Sequence, residues 1–273
     1  MRINNNVMAA NAYRNLSNTN NTLGKSLERL SSGFRINRAA DDAAGLTRSE
    51  GLRSEINGNK QAIRNAQDGV SFVQTAEGAM NEVHAILQRM RTLAVSAANG
   101  TSDGTAEDAE VAELLAELDA IGTRTTFNGS QVFQDYSGAT VGSLDFHIGA
   151  GSSDTLSVEA NLELASDGLF GTTDLSGLDL ADGAATAIAD IDAAIAVVSD
   201  ARSNLGATQN RLDHAIANLS VAVENLGAAE SRIRDADIAE QMVSFTRNQI
   251  LQQAGTAMLA QANSVPQSVL SLF

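Results

Sequence analysis

Apolar residues near the end of the chain recur at alternating steps of three and four, the spacing of a helical stripe that packs along a partner. The two columns of this stripe are formed by Leu212, Leu219, Leu226 and Ile233 and by Ile216 and Val223. Similar spacing upstream predicts that this helix begins near Ala184. From Asn248 to Phe273 the chain has no Asp, Glu, Lys or Arg, yet its five glutamines make it too polar to span a membrane. Such a segment favours protein partners.

The other end of the chain carries a matching stripe, made of Tyr13, Leu16, Leu23, Leu27, Leu30 and Phe34. Gly33 predicts where this helix ends, because glycine readily adopts the left-handed conformation that terminates many helices. Since both ends carry long apolar seams, the economical fold lays the C-terminal helix along the N-terminal ones.

A long helix is predicted from Asp42 to about Asn99, followed by a shorter acidic helix from Glu107 to Ile121. The long helix contains Gly45, Gly51, Gly58, Gly69 and Gly78. Each glycine costs about 1 kcal/mol relative to alanine. We therefore expect another backbone to pack closely against this helix.

The periodicity changes to two in the middle of the chain. Leu144, Phe146 and Ile148 alternate with polar residues, and Leu156 and Val158 alternate again after a glycine-rich loop. This pattern predicts a β-hairpin. The glycine- and aspartate-rich stretch from Ser166 to Gly183 predicts little regular structure.

Together these patterns predict a mainly α fold: a long antiparallel helical hairpin or coiled-coil bundle with a small β-hairpin insert. Residues 1–40 and 235–273 would form a terminal helical domain, and residues 41–133 and 184–234 would form a helical bundle. Residues 134–183 would be a short outer insert.

Charge is distributed unevenly along the chain, whose formal net charge is −15. Residues 1–64 have ten Lys or Arg against five acids, whereas residues 101–200 have nineteen acids against Arg124 alone. The basic residues at the start are spread out without interleaved aromatic side chains, so we expect no nucleic-acid partner.

The absence of cysteine excludes disulfides and thiolate metal sites. We also expect neither membrane insertion nor a cleaved signal peptide.

Candidate catalytic and metal-binding residues are few and scattered. His84, His147 and His214 lie far apart in sequence, and no HExxH motif or phosphate-binding glycine loop is present. The pairs Asp190 with Asp192 and Asp235 with Asp237 lack the spaced ligands and glycine of a calcium-binding EF-hand loop. We expect no enzyme activity, no cofactor and no metal.

Adjacent carboxylates at Asp41 and Asp42 allow two interpretations. They could perform general acid/base chemistry, or they could accept backbone N–H bonds at the start of a helix and interact with its positive dipole end. We favour the capping interpretation.

Three segments carry a resemblance to a known family. They read SLERLSSGFRINRAADDAAG from Ser26, NAQDGVSFVQTAEGAM from Asn65 and QILQQAGTAMLAQANSVPQSVL from Gln249. With residues 1–133 and 184–273 as a whole, they resemble bacterial flagellin. The resemblance implies a terminal domain lining the lumen of a filament and an adjoining helical domain around it. The chain resembles a short form of the family, without large outer domains.

The resemblance implies a structural subunit that polymerises with itself, through head-to-tail contacts that do not close, into an extracellular filament used for swimming. Under this interpretation, the residues that pack between subunits are Leu16, Leu23, Leu27, Leu30, Leu219, Val223, Leu226, Ile233, Met242, Ile250, Leu251, Met258 and Leu259.

The resemblance also implies partners outside the filament itself. These are the flagellar type III export apparatus, an export chaperone bound at the C-terminal segment, and the filament cap and hook-junction proteins. A hook-filament junction protein is the alternative, since that family resembles flagellin at both ends. The match from Gln249 to Leu270 favours flagellin.

Arg89, Leu93 and Glu110 resemble the flagellin residues contacted by the animal innate receptor toll-like receptor five. The resemblance therefore implies that the monomer is recognised by that receptor. The competing interpretation is that Leu93 is a core residue of its helix while Arg89 and Glu110 are solvated neighbours.

Overall fold

The computed structural model describes residues 6–99, 104–133, 143–159, 175, 178 and 180–270. Its helices are α1 (Val7–Ser32), α2 (Ala43–Ala97), α3 (Thr105–Arg124), α4 (Leu180–Arg234) and α5 (Ile238–Leu270). Its strands are β1 (Thr126–Phe127), β2 (Ser130–Gln131), β3 (Ser143–His147) and β4 (Thr155–Glu159). The predicted mainly α fold with a small β-hairpin is confirmed. Most of the glycine- and aspartate-rich stretch lies outside the described residues.

Local capping sets the ends of the first helices. Gly33 has a φ of 75° and its N–H donates to the carbonyl of Arg29, which confirms the predicted end of α1. At the start of α2, Asp42 Oδ1 accepts the backbone N–H of Gly45 at 2.9 Å. Asp41 instead accepts the backbone N–H groups of Asn37 and Arg38, in the segment before the helix. Both carboxylates therefore accept backbone hydrogen bonds, as the capping interpretation predicts, but only Asp42 caps α2.

A short break separates α4 from α5. Asp237 Oδ1 accepts the backbone N–H groups of Ala239 at 2.9 Å and Glu240 at 3.2 Å. These bonds satisfy donors that have no intrahelical partner at the start of α5. At the other end of α4, Gly183 has non-helical angles, so regular helix begins at Ala184 as predicted.

The chain divides into two compact units. The terminal unit contains residues Met1–Ile56 and Glu224–Phe273, and the central unit contains Asn57–Val223. The domain boundaries that we expect from the sequence, near residues 40, 133, 184 and 235, remain predictions.

The central unit has an extensive apolar core. Fully buried large side chains come from α2, α3 and α4, and they include Phe72, Met80, Leu87, Met90, Leu118, Ile191 and Leu212. The edge of the Phe72 ring meets Phe127 with centroids 5.7 Å apart, a favourable aromatic geometry. This unit therefore buries apolar surface within the single chain, and such burial stabilises a fold.

The β3–β4 hairpin packs on this core. Its strands pair antiparallel in a register that includes Phe146 opposite Leu156, as the alternating pattern predicts. A Cβ at Gly69 would lie 3.3 Å from both Phe146 and Leu212, and a Cβ at Gly58 would lie 3.0 Å from Ala150. The close approach of another backbone that we expect around the α2 glycines therefore occurs at Gly58, where the Cα of Ala150 would lie 3.4 Å from the added Cβ. Gly69 is instead enclosed by side chains.

The same expectation is wrong for Gly51 and Gly78. A Cβ at either position would have no heavy atom within 4 Å. Both face open space in this chain.

A second hairpin, β1–β2, is not among the elements predicted from the sequence. Its turn residues Asn128 and Gly129 both have positive φ, 52° and 82°. Two positive φ angles define the type I′ turn, for which Asn-Gly is a strong sequence signal. The strands contain only two residues each, too few for alternation to be visible.

In the terminal unit, α1 packs along α5 in antiparallel orientation. Asn6 Nδ2 near the start of α1 donates to the carbonyl of Ala262 near the end of α5, at 2.8 Å. At the opposite ends of these helices, Phe34 pairs with Asp235 in an isolated β-bridge. The prediction that the C-terminal helix lies along the N-terminal one is confirmed.

Candidate assembly surface

Large apolar side chains of α5 are exposed in the single chain. The exposed fraction lies between 48% and 65% for Met242, Val243, Ile250, Leu251 and Met258. Leu259 is half-buried, and Ala262 is the buried residue among the described side chains of α5. The helix therefore presents an apolar surface that its own unit leaves uncovered.

The α1 helix also exposes large apolar side chains. Val7, Met8 and Tyr13 are 61% to 68% exposed, and Leu27 is 50% exposed. Leu16, Leu23 and Leu30 are half-buried. Among the described residues of α1, only Ser26 is buried. The predicted seam of this helix therefore lacks a full set of packing partners within the chain.

The predicted seam of α4 is also incompletely covered over its last turns. Leu226 and Ile233 in the terminal unit are half-buried, as are Leu219 and Val223 in the central unit. Farther upstream on the same helix, Val198, Leu205 and Leu212 are buried in the central core. Burial of the apolar stripe of α4 thus decreases from Val198 toward Ile233.

A groove runs between α1 and α5. Its lining includes Met8 and Leu16 from α1 and Leu251, Gly255 and Met258 from α5. A Cβ at Gly255 would lie 3.2 Å from Leu16 Cδ1, so glycine at this position lets the two helices approach closely. A neighbouring groove on α5 is lined by Met242, Val243, Thr246, Arg247, Ile250 and Leu251.

We use the term assembly surface for the exposed apolar residues of α1 and α5 that line or flank these grooves: Val7, Met8, Tyr13, Met242, Val243, Ile250, Leu251 and Met258. The sequence prediction includes four of them but omits Val7, Met8, Tyr13 and Val243. Val7 with Met8 and Met242 with Val243 form adjacent apolar pairs, which is the available signal that the surface is wider than one heptad column.

The three residues of the expected receptor contact lie in the central unit. Arg89 and Glu110 are exposed and form an ion pair, with Arg89 Nη2 2.6 Å from Glu110 Oε1. This contact brings α2 and α3 together at positions separated by twenty residues in sequence. Leu93 is 7% exposed and belongs to the central core.

Three of the four acids in the pairs weighed as calcium ligands, Asp192, Asp235 and Asp237, make other contacts. Asp192 is paired with Arg91 at 2.6 Å, and the hydrogen bond from Arg91 lowers the pKa of Asp192. Asp237 caps α5, and Asp235 Oδ2 accepts the hydroxyl of Ser231 at 2.6 Å. Among the described residues, no group of three or more His, Asp or Glu is placed to hold a metal ion.

The histidines considered for catalysis lie on separate elements: His84 on α2, His147 on β3 and His214 on α4. Gln88 is the hydrogen-bond partner of His84 Nε2, at 2.8 Å. Over the described parts of the chain, no helix is long and apolar enough to cross a membrane.

Comparisons with known proteins agree with this architecture. Residues 3–138 match the family model of the bacterial flagellin N-terminal helical region, and residues 188–273 match that of the C-terminal helical region. The chain is 48% identical to a flagellin of Halalkalibacterium halodurans over all of this chain and 99% of that protein. It is 46% identical to a flagellin of Bacillus subtilis, with the same shares covered.

Similarity extends to a spirochaete protein and to a solved structure. The flagellin FlaB1 of Treponema pallidum is 45% identical over all of this chain and 99% of its own length. A crystal structure of Bacillus cereus flagellin, 32% identical, has a TM-score of 0.49 and covers 61% of this chain and 94% of that chain.

The chain is thus a helical protein whose two ends pack on each other and leave an apolar surface exposed. It belongs to the flagellin family, a family of structural proteins of the flagellar filament.

Proposed function

We propose that copies of this chain polymerise through the assembly surface into a flagellar filament used for swimming. The observation that carries this proposal is the exposure of large apolar side chains along both terminal helices. Contacts between unlike surfaces of successive copies generate a helical polymer when they do not close into a ring, and we propose contacts of this open kind.

Burial of the assembly surface supplies the free energy of polymerisation. Full burial of an exposed Leu, Ile or Met side chain stabilises by about 1.5 to 3 kcal/mol. Because these side chains are already partly covered, each contributes about 1 kcal/mol on assembly. Several such residues on each copy offset the cost of association. The half-buried seam residues Leu219, Val223, Leu226 and Ile233, together with Leu16, Leu23, Leu27, Leu30 and Leu259, extend the packing between copies.

The filament lies outside the cell, and we propose that the chain leaves through the flagellar type III apparatus without a cleaved signal peptide. An export chaperone would cover the C-terminal segment before assembly. The uncharged sequence after Arg247 and the exposed apolar residues of α5 support a need for such cover. The filament cap and hook-junction proteins would contact the two ends of the growing polymer.

Seeded elongation tests the assembly proposal. Purified chain is added to sheared filament fragments, and sedimented protein is measured over time and viewed by negative-stain electron microscopy. The unmodified chain should elongate the fragments. Leu226→Asp and Leu259→Asp should not, because a carboxylate in a packed seam is desolvated without a partner at a cost of several kcal/mol per copy.

Asp213→Ala is the matched control, since Asp213 is an exposed residue of the same helix as Leu226. Its effect should stay within about 0.5 kcal/mol and leave elongation intact. Normal elongation by the Leu226 variant would overturn the seam assignment. A hook-filament junction protein, the alternative, would bind to fragment ends in a fixed small amount and then stop.

We also propose that the monomer is recognised by toll-like receptor five through the exposed Arg89–Glu110 pair. The two side chains come from different helices and form one polar surface. Leu93 shapes this surface from beneath, since its side chain lies in the core. If subunits cover this face in the filament, the receptor recognises only the monomer.

Reporter cells exposed to purified monomer test this recognition. Arg89→Ala should reduce the response about tenfold, equivalent to ~1.4 kcal/mol. Arg91→Ala is the matched control, because Arg91 is a similarly exposed arginine on the same helix that pairs with Asp192 instead. Leu93→Ala adds to the Arg89→Ala effect but also creates a core cavity. Its folding must therefore be checked by circular dichroism. Equal responses to the Arg89 variant and the unmodified chain would contradict the proposal.

A further inference from the structure

We infer that Asn59 divides α2 into two parts, of which the part before it opens in the single chain while the part after it stays closed. Asn59 lies in the central unit, two residues after Asn57, where that unit begins along the helix. The helix itself is continuous from Ala43 to Ala97. This inference goes beyond the proposed function, because it concerns the folding of one chain and needs no second copy.

One heptad column of α2 is interrupted by a polar side chain at Asn59. The column consists of Gly45, Leu52, Asn59, Ala66, Val73, Met80, Leu87 and Ala94. From Ala66 to Ala94 its members are completely buried. Asn59 is only 6% exposed, so its side chain occupies a buried position of the same column. An asparagine at such a position of a helical seam lowers stability.

The side chain of Asn59 has no partner that offsets its burial. None of the described residues forms a hydrogen bond with its amide group. An amide group can donate two hydrogen bonds and accept two. Removal from water without replacement of these bonds destabilises the folded state. The seam is therefore weakest, along this column, at Asn59.

The continuous apolar core of the central unit begins after Asn59. Its first buried member along α2 is Ala66. Ile56 and Ala62 are also buried, at 7% and 1% exposure, but they do not belong to this core. The segment around Asn59 thus has few buried apolar neighbours that would have to separate when the helix opens. Segments of this kind open at a lower free energy than the core of the same protein.

The β3–β4 hairpin holds α2 next to this weak point. Ala150 is the first hairpin residue met along the helix, 3.0 Å from a Cβ placed at Gly58. Asn65 Nδ2 then donates to the carbonyl of His147 at 3.0 Å. Phe146 lies 3.3 Å from a Cβ placed at Gly69. Opening that starts before Asn59 therefore stops where these contacts and the core begin.

Asn59→Leu tests the inference, because leucine has the branching and size of asparagine but no polar group. Hydrogen exchange of the full-length monomer is followed by mass spectrometry, and protection factors are compared for the amides of residues 53–62. Asn59→Leu should raise them tenfold or more, equivalent to ~1.4 kcal/mol. Asn59→Asp should lower them, because an ionised carboxylate is more costly to bury than an amide.

Asn57→Leu is the matched control. Asn57 is an exposed residue of the same helix, two positions away. This change raises helix propensity as Asn59→Leu does, but it adds no buried apolar side chain. Its effect on the same amides should be about twofold. Equal gains in the two leucine variants would overturn the inference, because helix propensity would then account for both.

The unmodified chain provides a second test. Amides of residues 70–90 should stay protected while those of residues 53–58 exchange, and only the former should exchange faster as urea is added. Equal rates with the same urea dependence would overturn the inference, because α2 would then open as one unit. Unchanged protection in Asn59→Leu would overturn it as well. Since only monomer is measured, the outcome is independent of whether the chain polymerises.

Discussion

At the scale of single residues, short polar side chains determine where the helices of the terminal unit begin. Asn6, Asp42 and Asp237 each accept a backbone N–H three residues further along the chain or closer. Asp41 holds the connector before α2 by accepting the N–H groups of Asn37 and Arg38. The hydrogen bond from Arg38 holds the pKa of Asp41 below its usual range.

This pKa shift predicts a pH-dependent connector. A carboxyl group whose pKa is lower in the folded chain stabilises it fully above the unfolded value of about 3.9. That contribution is lost as the pH falls through the folded-state pKa. Protection of the Arg38 amide against hydrogen exchange should therefore be higher at pH 5 than at pH 2, after correction for intrinsic rates.

Two comparisons control this experiment. Asp41→Ala should lack the protection of the Arg38 amide at both pH values. The Gly33 amide, which donates to a carbonyl and not to a carboxylate, should show no such dependence on Asp41. Equal protection of Arg38 at both pH values in the unmodified chain would refute the role of Asp41.

At the scale of elements, the apolar stripes of α1, α2 and α4 were sufficient to predict these helices, because helical periodicity over many turns is unambiguous. Gly33 and Asp42 indicated their ends. The β1–β2 hairpin could not be predicted from alternation, since each strand has two residues. The contacts of Gly58 and Gly69 could not be predicted from the sequence either, because they depend on which residues of the distant β-hairpin pack against α2.

Heptad spacing in the sequence predicts only part of the assembly surface. A heptad column identifies one edge of an apolar face, whereas Val7, Met8 and Val243 lie beside the column. Conversely, the seam residues Leu205 and Leu212 continue the same pattern as Leu226, yet they are buried in the central unit. Sequence spacing alone does not separate core from surface along one helix.

Two glycines provide a matched test of the element-level account. Gly129 has a φ of 82° in the β1–β2 turn, so Gly129→Ala should destabilise by about 1 to 2 kcal/mol. Gly78 lies inside α2 with open space at its Cβ position, so Gly78→Ala should stabilise by about 1 kcal/mol. Urea unfolding followed by circular dichroism measures both. Effects of the same sign would contradict the assigned conformations.

At the scale of the whole molecule, the two units differ in how much apolar surface each covers by itself. The central unit buries a large set of aromatic and aliphatic side chains, whereas the described apolar residues of α1 and α5 other than Ala262 remain half-buried or exposed. Contiguous exposed apolar surface marks an interaction site. For a member of the flagellin family, the expected partner is another copy of the same chain.

Methionine oxidation tests this central claim most directly, because the chain has exposed methionines on α1 and α5 and buried methionines in the central unit. Met8, Met242 and Met258 are exposed in the single chain, whereas Met80 and Met90 are fully buried. Peroxide converts accessible methionine to the sulfoxide, and mass spectrometry locates it. In the monomer the first three should oxidise rapidly and the other two slowly. In the assembled filament the first three should be protected by about tenfold or more while Met80 and Met90 remain slow. Unchanged oxidation of Met8, Met242 and Met258 in the filament would contradict the assignment of α1 and α5 as the assembly surface.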